Sequence, residues 1–98
     1  MKHFLVHLNY IVPIETVDKY LIAHREFLDS GYEKGILLSS GPKNPRNGGL
    51  FIARAESLEE LMDFCQKDPF FIAKCANYSY EEFIPVKFQK EVRDWFTK

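Results

Sequence analysis

The chain has 98 residues, length for one small domain and not for two. Apolar residues make up 46% and aromatics 15%, which excludes a disordered segment and argues for a folded globule. With 13 Lys and Arg against 14 Asp and Glu the formal net charge is −1, so no basic excess exists for a phosphate backbone and nucleic acid is set aside as a partner.

The opening "MKHFLVHLNY" has no long apolar run and no cleavage-like site, so no signal peptide is expected there, and no segment is long enough to span a bilayer. Within it "HFLVHLNY" (3–10) reads as a strand, with Phe4, Val6 and Leu8 on one face and His3, Leu5, His7 and Asn9 on the other; Pro13 ends it. From Glu15 to about Lys34 the period becomes helical: Val17, Tyr20, Leu21, His24, Phe27, Leu28 and Tyr32 recur at steps of three and four. Gly35 is the expected stop, and Gly31 is a place where the helix frays or ends early. "ILLSSGP" (36–42) and "LFIARA" (50–55) are strands two and three, joined through a "KNPRNGG" turn (43–49) into a hairpin.

Ser57 followed by Glu60 is a capping-box signature for a helix over 56–67, buried through Leu58, Leu61, Met62 and Cys65. "DPFFIAKC" (68–75) restarts as a helix of at most two turns, with Asp68 as N-cap and Pro69 at its first position. "YSYEEFIPVKF" (78–88) is the fourth strand, with Tyr78, Tyr80, Glu82, Ile84 and Val86 on one face; Pro85 marks an edge or a bulge. "QKEVRDWFTK" (89–98) forms a short terminal helix with Val92, Trp95 and Phe96 as its apolar points.

The order β-α-β-β-α-α-β fits an α+β, ferredoxin-like fold with an antiparallel sheet, a domain over 1–88 and a helical appendage over 89–98. Both helical layers cover one sheet face. Strands two and three are apolar on both sides, so the second face also needs cover, and a second copy of the chain is the expected occupant. Burying several hundred Å2 at about 25 cal/mol/Å2 gives a gross gain on the order of 10 kcal/mol before association costs, enough for a homodimer.

Few residues carry chemistry. His24 lies on the apolar stripe of the first helix, where a histidine is either a packed core residue or a proton-transfer group whose other ring nitrogen is held. Asp68 is the best partner: an N-cap uses one carboxylate oxygen and leaves the other for an imidazole, and both residues sit on helical elements that pack on the same sheet face. Ser40, beside Gly41 and Pro42, is placed either to donate to a ligand anion or to satisfy a strand end. His7 either lines the same cavity or is covered by a second copy; Lys43 and Arg46 either meet an acidic ligand or belong to a solvated turn. Tyr78 and Tyr80 read as sheet packing. His3, His7 and His24 form no HExxH pattern, "NGG" is a turn rather than a phosphate cradle, and Cys65 and Cys75 make neither a zinc cage nor a CxxC motif, so neither a metal nor another cofactor is expected. Two thiols of this kind fit a reducing cytoplasm.

The "FLVHLNY" strand, "AHREFLDSGYEKGILLSSGP", "SLEELMDFCQKDPF" and the closing "FIPVKF" together resemble the YciI-like (YCII-related) family over about residues 3–88, with "QKEVRDWFTK" outside the likeness. The resemblance implies a dimeric ferredoxin-like α+β barrel with a His–Asp pair in a pocket, mapping here onto His24 and Asp68. The family includes lactone dehalogenases of aromatic degradation, so the implied function is general acid–base chemistry on a small carbonyl or lactone-like metabolite, of lyase, isomerase, dehalogenase or hydrolase type. The alternative is a binding module of the same fold without catalysis. The loop before "GLFIARA" is short, which reduces any pocket wall it supplies and bears on specificity first. Ser40, Gly41, Pro42 and His7 are the candidate substrate-binding residues.

Overall fold

A computed structural model describes all residues, 1–98. Four strands form one antiparallel sheet in the order β2-β3-β1-β4: β1 (Lys2–Tyr10), β2 (Leu37–Pro42), β3 (Gly48–Ala55) and β4 (Ala76–Phe83). Four helices, α1 (Ile14–Lys19), α2 (Leu21–Glu33), α3 (Leu58–Cys65) and α4 (Pro69–Ile72), come between the strands, and α5 (Arg93–Thr97) closes the chain behind a 3-10 turn. This is the ferredoxin-like α+β arrangement.

The alternation of β1 decides which face is the core. Phe4, Val6 and Leu8 are essentially inaccessible and pair across the sheet with Ala53, Phe51 and Gly49. Val17, Leu61, Phe64, Cys65 and Phe70 close over them from the helices. No helix is long and apolar enough to cross a membrane.

The backbone departs from the sequence expectations at four places, each for a local reason, and on α3 Phe64 is buried while Leu58 and Met62, expected in the core, are exposed. The helix expected over 15–34 is two helices, because Tyr20 leaves the helical region (φ −106°, ψ 3°) and its N–H makes a tight bond to Val17 O. The break seats Val17 in the core while α2 starts afresh with His24 inward.

Gly31 does not end α2. It is a packing position, since a Cβ there would lie 2.7 Å from Leu37 Cδ1 and Phe64 Cζ. The helix stops as expected at Gly35 (φ 74°), where Ile36 N–H donates to Gly31 O and Gly35 N–H to Tyr32 O, the Schellman pattern.

β3 begins at Gly48, inside the expected turn. At that position a side chain would collide with Leu8 O, so glycine is what allows the strands to approach.

β4 starts at Ala76 and stops at Phe83, short of residue 88. The ladder with β1 ends at the His3↔Phe83 pair, one residue inside the start of β1, and Pro85 follows with no N–H to offer. Ile84 and Val86 are left 80% and 82% exposed.

The second sheet face carries Leu5, His7, Leu50 and Ile52, all half-buried. Its far end is covered by the C-terminal segment. Trp95 and Phe96 pack on the His3 ring, and the Arg54 guanidinium lies 5.0 Å over the Trp95 ring while Nη1 donates to Trp95 O at 2.6 Å. Trp95 Nε1 and Arg54 Nε both donate to Gly35 O, at 3.1 and 2.7 Å.

Candidate active site

Asp68 is the centre from which the site is built. It caps α4, with Pro69 supplying the first helical residue, so its position is set by the backbone. It is fully buried. A buried carboxylate is tolerated only when donors meet it, and three do. Oδ1 accepts from Phe70 N–H at 3.0 Å and meets His24 Nδ1 at 2.7 Å; Oδ2 accepts from the Tyr78 hydroxyl at 2.6 Å. One oxygen thus serves both the cap and the histidine, and the second goes to Tyr78. That differs from the expected division of one oxygen to the cap and one to the histidine, because the register Leu8↔Tyr78 puts a hydroxyl beside Oδ2.

His24 arrives from the first full turn of α2 and is 7% exposed. Its ring stacks on Phe70, centroids 3.9 Å apart and planes 9° from parallel, with Phe51 at 6.1 Å. A carboxylate only accepts, so the hydrogen bond assigns the proton to Nδ1 and leaves the Nε2 lone pair free. Nε2 has no partner in the chain and is not sealed, and His24 lines a cavity of about 680 Å3. The imidazole is therefore held at one nitrogen, clamped in orientation by an aromatic ring, and open to a hollow at the other.

The hollow lies between α2 and the β2 side of the sheet. Leu8, Leu21, Leu28, Phe51 and Phe70 give it an apolar lining. Ser40, Gly41 and Pro42 all line it, and Ser40 Oγ is 2.6 Å from the Tyr32 hydroxyl. His7 does not line it: the strand alternation puts it on the opposite sheet face, with Nε2 3.4 Å from Glu81 Oε1.

Sequence reasoning missed Tyr78, Tyr32 and Phe70 as parts of this site. Tyr78 and Tyr80 are indistinguishable by alternation. Only the hydrogen bond separates them, and no residue pattern announces it. Burial first, then the Asp68 charge and its hydrogen bond, push the Tyr78 hydroxyl above its ordinary range, so it stays a donor. Beneath the site Cys65 is buried and its thiol is pushed up to about 12, mainly by that burial, with a hydrogen bond from Tyr80 opposing. It is a packed thiol and not a nucleophile. Cys75 is also buried and raised, by burial and then by Asp68. Nowhere do three His, Cys, Asp or Glu side chains gather as a metal site.

The family model described as the YCII-related domain matches residues 2–84. A search of curated proteins gives no match. Among solved structures the chain is similar to 5-chloro-2-hydroxyhydroquinone dehydrochlorinase (TftG) from Burkholderia phenoliruptrix AC1100, in complex with 2,5-dihydroxybenzoquinone. The TM-score is 0.71 at 22% identity, over 91% of this chain and 97% of that one, a likeness of fold.

Proposed function

The chain belongs to the YCII-related family, and on that premise we propose that it is a small enzyme of general acid–base type, in which His24, oriented by Asp68, moves a proton of a small carbonyl or lactone-like metabolite held in the cavity. The observation that carries this reading is the division of labour on one ring: Nδ1 engaged by a fully buried carboxylate, Nε2 unengaged and open to the hollow. A general base needs that arrangement, because the held nitrogen fixes both the tautomer and the direction of the lone pair.

In the proposed step Nε2 takes a proton from the carbon beside the carbonyl, and the electron pair of that C–H bond moves toward the carbonyl. The imidazolium that forms faces the Asp68 carboxylate across 2.7 Å in a water-poor setting, where the attraction is strong. Return of the proton at another carbon makes an isomerase. Expulsion of a leaving group by the same electron pair makes a lyase; loss of chloride with its bonding pair would make a dehalogenase. The dehydrochlorinase whose fold this chain shares supports the elimination branch by analogy alone. Ser40 and the backbone of Gly41 and Pro42 are the proposed substrate contacts on the strand side.

His24→Ala should fold and lose about 10²- to 10⁴-fold in kcat on whichever member of a panel of small lactones and halogenated or unsaturated acids is turned over. Unchanged turnover would remove His24 from the mechanism. A ligand that co-purifies, with no product after long incubation, would favour a binding module instead.

The half-buried apolar residues Leu5, Leu50 and Ile52 support a homodimer formed over the second sheet face. Two free, buried cysteines suit a reducing compartment such as the cytoplasm.

A further inference from the structure

Arg46 stands on the short turn that joins β2 to β3, the element where a reduced pocket wall was expected. The turn is short, yet it delivers a guanidinium to the cavity lining. Nη2 donates to Asp18 Oδ1 on α1 at 2.7 Å, and the Tyr10 side chain stands beside the same group. A guanidinium has five N–H donors in a planar fork, so the bond to Asp18 holds the fork in place and leaves further donors for a ligand. Arg46 and Asp18 are both about half exposed, so the pair can admit a ligand oxygen without stranding a buried charge.

The rest of the cavity supports the same chemistry. Arg25 also lines it and has no carboxylate within salt-bridge distance. Asp29 is the acidic residue of the lining, against these two arginines. Phe51, Phe70 and the Tyr10 and Tyr32 rings supply an aromatic part of the wall, which Leu8, Leu21 and Leu28 complete. Such a hollow matches a planar ring that carries an anionic group.

We propose that Arg46 determines specificity: it reads the anion of a planar, ring-containing organic acid, the class of substrate whose reacting carbon would lie before His24. The inference rests on the catalytic reading of this cavity and adds the charge and shape of what enters it. Asp18 is the positioning residue that orients the fork.

The test is titration calorimetry of the whole chain with benzoate and with benzamide, which share a planar ring and differ in charge. Wild type should bind benzoate about 10- to 100-fold more tightly than benzamide, the range for a charge-assisted hydrogen bond. Arg46→Gln should remove that preference and leave benzamide affinity unchanged; Arg46→Lys should restore part of it, since a point charge keeps attraction and loses the fork. The surface position of Arg46 makes the variants structurally safe. Equal affinity for the two probes in wild type, no benzoate binding at about 10 mM, a concentration far above ordinary ligand affinities, or an Arg46→Gln variant that still prefers benzoate would each overturn the proposal. The readout needs no turnover. A fully active His24→Ala would therefore sink the catalytic reading and leave the anion preference intact, whereas loss of the preference argument would leave His24 untouched.

Discussion

Removing one hydroxyl, by Tyr78→Phe, tests the hub on which the site is built. The Tyr78 O–H donates to Asp68 Oδ2 at 2.6 Å, and it is the one protein hydrogen bond that oxygen has. Asp68 is fully buried, so the phenylalanine leaves half of a carboxylate without a partner. A hydrogen bond to a charged group contributes about 1.5–3 kcal/mol, and Tyr78→Phe changes almost no packing, so a loss of about 2 kcal/mol at pH 7 is expected. For a chain of this size that lowers Tm by roughly 8–16 °C. Urea titration followed by circular dichroism measures it.

The pH dependence supplies an independent readout. Tyr78 is raised in the folded chain relative to its ordinary value of 10.0. Between the two values the folded chain keeps a proton that the unfolded chain has lost, so stability is fully present below about pH 9 and falls as pH rises through 10 and beyond. Each such proton contributes up to about 1.4 kcal/mol per pH unit. The variant lacks this group, so its deficit should shrink from pH 8 to pH 11. A variant within about 0.5 kcal/mol of wild type at pH 7, the ordinary scatter of neutral surface changes, or a deficit constant with pH, would refute the role given to Tyr78.

Two more outcomes are expected. Lys74 sits at φ 57° in the Schellman turn after α4, where Cys75 N–H donates to Phe70 O; Lys74→Gly should raise the urea midpoint by the equivalent of about 1 kcal/mol, and an unchanged or lower midpoint would mean the side chain offsets the strain. The second sheet face should mediate self-association, so wild type should sediment at twice the chain mass and Ile52→Lys as a monomer; a wild type that sediments as a monomer at every concentration would dismiss the dimer.

The parts of the fold readable from residues are those where one local signal dominates. The alternation of Phe4, Val6 and Leu8 is one, the Ser57 and Asp68 caps are others, and Gly35 is a fourth. His24 was legible as an anomaly, a polar ring on an apolar stripe, and Asp68 as a carboxylate on a neighbouring element. What stayed hidden depends on partners distant in sequence. Tyr20 breaks a helix whose periodicity runs through it unbroken. Gly48 looks like turn residue until Leu8 O is placed against it. β4 ends near the start of β1, at the His3↔Phe83 pair, which no feature of "FIPVKF" records. Arg46 could not be told from a solvated loop arginine without knowing that its turn folds toward α1.

The carbonyl of Gly35 accepts from two donors far apart in the sequence: Arg54 from β3 and Trp95 from a stretch past residue 84, where the family match stops. That single oxygen sits at the exit of the helix whose entrance presents His24. The C-terminal segment is thus stitched to the helix that carries His24 rather than hung from the domain's edge. Trimming the protein at the family border would strip Trp95 and Phe96 from the His3 ring, unclamp the Arg54 guanidinium and loosen the anchorage of α2 from its far end.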